Sequence, residues 1–284
     1  MKIYARAPVR IDFGGGTTDI HPISKKLGGY VLNASINHYV NGSLVKLPNR
    51  TALEYHSDLP TSSGLGTSGV MNVVWLALTT RFKDKRDLAE WAYKIENATL
   101  VVGGKQDQYA AVLGGINYLQ FDNDHRVTIE RIKLPTNFLK KLEGRLFLDY
   151  TGPRISSDTN QVIVNHFESG YKKTVEAFKD IIENVKRMRT ALVNRDLDLF
   201  ALCLNKEWEL RKKLHPKVTT KKIEERIKFA MENGAIAAKV CGAGGGGCIL
   251  FYAENKSELI KKFHNKLIKF KFDHEGLRIW EKKS

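Results

Sequence analysis

A two-lobed α+β protein is predicted by three observations on this chain of 284 residues. Period-two apolar runs separated by Gly-rich turns fill residues 1–57, helical spacing takes over from Ser68, and the second half sets long amphipathic helices beside short apolar strands. At roughly 150 residues per domain the length accommodates two lobes, which divide near residue 150 into 1–150 and 151–284. Hydrophobic residues at 42% and charged residues at 27% match globular usage and exclude disorder, collagen-like repeats and coiled coil.

The elements follow in order. Lys2 to Ala7, Tyr30 to Leu47 and Thr51 to His56 read as the opening strands, with Gly at the turns between them. Val70, Val73, Val74, Ala77 and Leu78 recur at helical spacing, and Leu88, Trp91, Ala92 and Ile95 mark a second helix. Gly114 to Phe121, entered through a Gly-Gly turn, and Leu146 to Tyr150 are further strands. Val175, Phe178, Ile182, Val185, Met188 and Leu192 form the stripe of a long helix. Helices over 197–214 and 220–233 come next, with Thr220 capping the start of the latter and Gly234 its end. A strand at 235–240, a Gly-rich hairpin, a strand at 248–252, a helix from Ser257 and a strand at 277–280 complete the second lobe.

Several function classes fall away on composition. No apolar run approaches the roughly 18 to 20 residues of a membrane span, and the opening is strand-like, unlike a signal peptide, so a cytoplasmic protein is expected. Three cysteines, Cys203, Cys241 and Cys248, are an odd number without C-x-x-C spacing, which argues against a disulfide framework or a zinc ribbon. His21, His38, His56 and His264 show no metal-ligand spacing. The net charge of +15 is compatible with nucleic acid or with phosphorylated ligands. The basic residues lie on amphipathic helices (Lys221, Lys222, Arg226, Lys228) without interleaved aromatic side chains, the pattern of a solvated face, so nucleic acid is the weaker partner and a small molecule the stronger. Oligomeric state is not specified, and a homodimer stays open.

Three glycine clusters mark places where bare backbone can bind a ligand. They are Gly14-Gly15-Gly16 followed by Thr17-Thr18-Asp19, then Ser62-Ser63-Gly64-Leu65-Gly66-Thr67-Ser68-Gly69, and Gly242 to Gly247 around Ala243. The middle cluster runs into a helix, so free N–H groups and the positive end of the helix dipole converge on an anion. Its hydroxyls add donors and a hard oxygen for Mg²⁺. Gly64, Gly66 and Gly69 spell G-x-G-x-x-G, but Asp58 to Ser63 precede them where a dinucleotide fold needs an apolar strand, and no Walker A lysine follows.

Pro60-Thr61-Ser62-Ser63-Gly64-Leu65-Gly66-Thr67-Ser68 resembles the ATP-phosphate loop of the GHMP kinase superfamily, and Lys239 to Cys248 resembles its C-terminal glycine motif. Arg10-Ile11-Asp12-Phe13-Gly14-Gly15-Gly16-Thr17-Thr18-Asp19 is similar to the first motif of the sugar-phosphate branch, the heptose 7-phosphate kinases and fucokinase domains. Gly103 to Gln108 with Gly114-Gly115 resembles the acidic motif of that branch, and Tyr150-Thr151-Gly152 with Ser156-Ser157 its later substrate loop. The resemblance runs in order over roughly residues 3–121 and 145–281.

The resemblance implies a two-lobed GHMP fold, with an N-terminal lobe like ribosomal protein S5 domain 2 and a ferredoxin-like C-terminal lobe. It also implies ATP- and Mg²⁺-dependent phosphorylation of a hydroxyl on a sugar or sugar phosphate, with the anomeric hydroxyl of D-glycero-D-manno-heptose 7-phosphate favoured. Ser62 to Ser68 would hold the nucleotide phosphates, Ser68 and Glu96 the Mg²⁺, Asp107 would act as base and Arg10 would support it. Gly15, Gly16, Thr17, Thr18 and Asp19 would line the sugar pocket, and Gly244, Gly245 and Gly246 the opposing wall. Arg154 and Lys239 are weaker candidates for a phosphate on the substrate. On residue type alone Asp107 could instead cap a helix and Asp19 could belong to an Asx turn. Other acceptors stay open: a fucose-like free sugar or a mevalonate derivative. So do two different classes, a nucleic-acid-binding protein and a NAD-dependent dehydrogenase.

Overall fold

The computed structural model describes residues 2–46, 48–60, 62–99, 102–122, 126–154, 158–263 and 267–282. Leu47, Thr61, Ser156, Ser157 and His264, named above, lie outside the described residues.

The strand β1 (Lys2–Gly14) organises the first lobe. Its alternation buries Ala5, Ala7, Val9, Ile11 and Phe13 completely and sends Arg10 and Asp12 to the other face, where the second lobe covers them. A helix α1 (Ile23–Leu27) leads to the long strand β2 (Gly29–Lys46), which pairs antiparallel with β1 along nearly its whole length. The far half of β2 carries β3 (Thr51–Ser57), and its near half pairs with β4 (Ile116–Phe121), which in turn pairs with β5 (Val127–Ile132). The helices α2 (Thr67–Thr79) and α4 (Gln106–Leu113) pack against β1 and β2, and α3 (Lys85–Ala98) packs against both helices.

After α5 (Thr136–Arg145) the chain enters the second sheet, β6 (Leu146–Tyr150), β8 (Cys248–Tyr252) and β7 (Ala237–Val240), all antiparallel in the order β6-β8-β7. The helices α6 (Thr159–Glu168), α7 (Lys172–Val193), α8 (Leu197–Lys212), α9 (Lys221–Glu232) and α10 (Lys256–Lys261) belong to this half. Thr220 caps α9 by accepting from Ile223 N at 3.3 Å, as its sequence position predicts.

The sheets do not divide at residue 150. β6 pairs with β8 and so belongs to the second sheet, while β9 (Arg278–Lys282) returns to the first and pairs with β1, Lys2 opposite Lys282. The cause is the edge of β1 opposite β2, whose free backbone groups need a partner that the first 150 residues do not supply. Among the described residues no helix is long and apolar enough to cross a membrane.

Candidate active site

A cavity of about 320 Å³ lies between the lobes. Its floor starts on β1. Arg10 is 4% exposed, and its main-chain N–H donates to Leu65 O, which ties the glycine turn to the strand. The guanidinium then reaches both sides of the cavity: one NH group donates to Gly64 O at 2.8 Å and Nε donates to Asp107 Oδ1 at 2.8 Å. Burial works against the charge on Arg10, but Asp107 and Asp12 more than offset this, and its pKa is raised.

Ser62 to Gly66 turn sharply into α2. Gly66 adopts φ 81° at the helix N-cap, and a Cβ there would stand 2.8 Å from Asp107 Cγ, so only glycine lets the turn approach the carboxylate this closely. No side chain caps α2 and its first turn carries no acidic residue, so its leading N–H groups are open toward the cavity. Ser63 Oγ and Thr67 Oγ1 are buried without a hydrogen-bond partner. Unsatisfied buried donors at a helix N-terminus fit an anionic group with several acceptor oxygens, such as a nucleotide's phosphates. Leu65 does not line the cavity: its side chain is wholly inside the core and its carbonyl accepts from Arg10 N.

Asp107 sits in the first turn of α4, two residues after the N-cap Lys105, so it is not the helix cap. The turn is instead satisfied from outside: Gln106 N donates to Asp19 Oδ2 at 2.9 Å. Asp19 is 4% exposed, and burial raises its pKa to about 6 against the lowering effect of that hydrogen bond. Its Oδ1 has no partner. Gly104 is required beside it, since a Cβ there would come within 2.0 Å of Asp19 Oδ2.

Across the cavity Ser68 donates from its hydroxyl to Glu96 Oε1 at 2.8 Å, and Gln108 Nε2 donates to Glu96 Oε2. Burial raises the pKa of Glu96, with the Asp107 charge adding to it. Two hard oxygens beside a phosphate corner fit Mg²⁺, which takes one or two protein ligands and completes its shell with phosphate and water.

The remaining candidates need correction. Gly16 and Thr17 line the cavity, but Gly15 and Thr18 do not. They build the turn: Gly15 N donates to Glu207 Oε1 at 2.9 Å, and the Thr18 hydroxyl donates to Gly15 O at 2.6 Å and accepts from Tyr30 N at 3.0 Å. Gly244, Gly245 and Gly246 also stand back from the cavity, which Gly242 and Ala243 line. Gly245 N donates to Val218 O at 2.8 Å, and a Cβ on Gly244 or Gly246 would strike Val218 O or Arg154 Cα, so this loop is packed against protein. Lys239 is fully buried with Nζ 3.4 Å from Asp12 Oδ2, which rules it out as a phosphate anchor. Arg154, by contrast, does line the cavity.

Sequence reasoning gave no role to Gln108, which it held only as part of a motif, and missed Asn160 and Arg211. Gln108 adjoins Asp107 and could have been noticed through the Gln-Asp-Gln run. Asn160 is a cavity-lining side chain that donates to Val102 O at 2.9 Å. Arg211, fully buried, donates to Gly16 O at 2.6 Å and to Gly242 O at 3.0 Å, joining two glycine turns that line the cavity. Cys241 is driven by burial to a pKa of about 11 and Cys248 is raised further by the same cause, so both stay thiols that pack.

Comparison with known proteins gives a consistent family. The model described as GHMP kinases N terminal domain matches residues 31–115, and the one described as GHMP kinases C terminal matches residues 188–268. The chain is 29% identical over 340 residues to D-glycero-alpha-D-manno-heptose 7-phosphate kinase of Campylobacter jejuni, covering 98% of each protein. It is 26% identical over 268 residues to mevalonate kinase of Pyrococcus abyssi, covering 87% of this chain and 74% of the relative. Among solved structures, a D-glycero-D-manno-heptose 1-phosphate kinase from Bacteriodes thetaiotaomicron superposes with TM-score 0.77 at 25% identity, over 99% of this chain and 100% of that one. The two family models fall in chain order and carry between them Ser62 to Ser68, Glu96 and Asp107 on one side and Gly242 on the other: the chain belongs to the GHMP kinase family.

Proposed function

We propose that this chain transfers the γ-phosphate of ATP to a hydroxyl of a sugar phosphate, with the anomeric hydroxyl of D-glycero-D-manno-heptose 7-phosphate as acceptor. The observation that carries the reading is the placement of Asp107, a carboxylate held by Arg10 directly beside an uncapped, hydroxyl-bearing turn at the start of α2. The acceptor class rests on the full-length likeness to a heptose 7-phosphate kinase.

In this reading the N–H groups of Thr67 and Ser68 and the free hydroxyls of Ser63 and Thr67 hold the β and γ phosphates. Asp19 and the backbone of Gly16 and Thr17 orient the acceptor, the carboxylate accepting hydrogen bonds from its hydroxyls. Asp107 takes the proton of the attacking hydroxyl as that oxygen bonds to the γ-phosphorus and the bond to the bridging oxygen of ADP breaks. Arg10 keeps Asp107 ionised and oriented. Ser68 and Glu96 would hold Mg²⁺, which supplies charge neutralisation to the phosphates when bound. Small-molecule turnover of this kind, with no described helix able to cross a membrane, is consistent with a cytoplasmic enzyme.

The test is an ADP-release assay on the purified chain with ATP and Mg²⁺ over heptose 7-phosphate, the unphosphorylated heptose, fucose and mevalonate. Turnover confined to the phosphorylated sugar is expected. Turnover with mevalonate alone would overturn the acceptor class, and absence of any ADP or ATP binding by calorimetry would overturn the kinase reading as a whole.

A further inference from the structure

Among the described residues, the buried amide side chains are put to use within the protein, with one exception. Asn33 donates from Nδ2 to Gln106 O at 3.4 Å, Gln108 to Glu96, Asn117 to Gly114 O at 3.3 Å, and Asn184 to Cys203 O at 3.0 Å. Gln106 is 6% exposed, yet its side-chain amide makes no hydrogen bond among the described residues, and Oε1 is buried without a partner. A buried polar group left unsatisfied is costly, so its persistence calls for a partner from outside the chain.

The amide stands at the acceptor end of the cavity. Gln106 lines that cavity from the first turn of α4, directly before Asp107. Its main-chain groups are committed, the N–H to Asp19 Oδ2 and the carbonyl to Asn33, so the backbone is held while the amide is left over. Nε2 lies 3.0 Å from the point that a Cβ on Gly16 would occupy, and Asp12 Oδ2 lies 2.2 Å from the same point. Gly16 lines the cavity too, and its bare backbone is what lets the amide lie alongside. Asp19 is seated in the same manner against Gly104. The two groups are complementary in chemistry: an ionised Asp19 only accepts hydrogen bonds, whereas the amide of Gln106 donates through Nε2.

We propose that Gln106 determines which acceptor is turned over, its Nε2 donating to the oxygen of the hydroxyl next to the one that is phosphorylated. The inference rests on the sugar-phosphate kinase reading above and deepens it. Asp107, the next residue on α4, takes the proton of the reacting hydroxyl, and the amide one position before it reads the neighbouring carbon. In a heptose phosphorylated at the anomeric hydroxyl this neighbour is the 2-hydroxyl. Mevalonate carries a methylene next to its primary hydroxyl and would leave the amide unsatisfied, so a vicinal diol is the feature selected.

The experiment compares heptose 7-phosphate with its 2-deoxy analogue in wild type, Gln106→Met and Gln106→Asn, with ATP and Mg²⁺. Wild type is expected to prefer the hydroxylated sugar by about 10²-fold or more in kcat/KM, since a site built to hydrogen-bond a hydroxyl rejects the analogue lacking it. In Gln106→Met, which keeps the length and the backbone N–H to Asp19, the preference shrinks to within about fivefold, the loss falling on heptose 7-phosphate alone. Gln106→Asn withdraws the amide by one methylene and gives an intermediate preference. ADP affinity by calorimetry is the same in all three proteins. A wild-type preference retained in Gln106→Met overturns the proposal, including the case where both rates fall together, which is what a purely structural amide would give. Equal turnover of the two sugars by wild type overturns it as well. Should Gln106→Met not bind ADP, Gln106→Asn carries the comparison, and an unchanged preference there counts against the proposal in the same way. A wild type that binds ADP but phosphorylates neither sugar removes the acceptor reading and this inference with it, whereas failure to bind ADP removes the kinase reading.

Discussion

Arg10 approaches Asp107 through two nitrogens, Nε at 2.8 Å and a terminal nitrogen at 2.6 Å, and both contact the same oxygen, Oδ1. Asp107 Oδ2 accepts no hydrogen bond among the described residues. One carboxylate oxygen is thus fixed and the other accepts nothing, on a residue that lines the cavity, an arrangement suited to a positioned base. Because the same arginine also donates to Gly64 O, one side chain ties the proposed base to the glycine turn.

Replacing Asp107 with Asn preserves the shape and removes the basicity. Arg10 then still has an amide oxygen to bind, so the turn at Gly64 stays in place. We expect kcat to fall by about 10²–10⁴-fold with ADP affinity unchanged in calorimetry. Turnover near the wild-type rate would mean that another group takes the proton.

Ser68 and Glu96 make a second prediction. They meet at 2.8 Å at the edge of the phosphate corner, one from α2 and one from α3. Ser68→Ala and Glu96→Gln should each raise the Mg²⁺ concentration for half-maximal activity by about tenfold or more, measured at saturating ATP. An unaltered Mg²⁺ titration in both variants would place the ion elsewhere.

The parts of the fold that sequence disclosed are those with strong local periodicity. α7, with its single apolar stripe, lies where the pattern puts it, and β1 starts as expected at Lys2 but runs on past the predicted end at Ala7 to Gly14, where the glycine cluster masks the alternation of Val9, Ile11 and Phe13. β5 (Val-Thr-Ile-Glu-Arg-Ile) escaped notice because an edge strand is half exposed and mixes charges into its alternation. α5 and α6 are short, and α1 is a single turn, so none builds a readable stripe. The return of β9 to β1 is a contact across almost the whole chain that no local window contains. The site divides in the same way. Arg10, Glu96 and Asp107 were legible through motifs, whereas Arg154, Lys239 and Arg211 are ordinary basic residues in sequence whose different fates depend on what the folded chain places around them.

Arg211 supplies a stability prediction. Fully buried on α8, it satisfies Gly16 O and Gly242 O and offsets part of the burial cost of Glu207, whose own pKa is raised by burial. Arg211→Met fills much of the space but leaves two buried carbonyls without their donor and removes one of the two positive charges that offset the burial of Glu207, which keeps its hydrogen bonds from Gly15 N and Asn184 Nδ2. Urea unfolding should show a loss of about 3–5 kcal/mol, the usual consequence of removing one member of a buried charged set. A loss below about 1 kcal/mol would show that water reaches the turn and replaces the guanidinium.

Asp19 makes stability and acceptor binding depend on pH in opposite directions. Its pKa is pushed by burial from 3.8 to about 6 in the folded chain, against an ordinary value once unfolded. Below about pH 4 both states hold the proton and the group costs nothing. Between about pH 4 and 6 only the folded state keeps the proton, so stability falls as pH rises, and above 6 the penalty is constant at ~3 kcal/mol. Asp19→Asn, which keeps an oxygen for Gln106 N, should therefore be more stable than wild type at pH 8 and nearly equal to it at pH 4, as read from melts across that range. Acceptor hydroxyls donate to the ionised form, so wild-type KM for the acceptor should rise as pH drops below 6, and Asp19→Asn should show a high KM at every pH. A KM independent of pH from 5 to 8 in wild type, an interval of about three units around the shifted pKa, would remove Asp19 from the acceptor pocket.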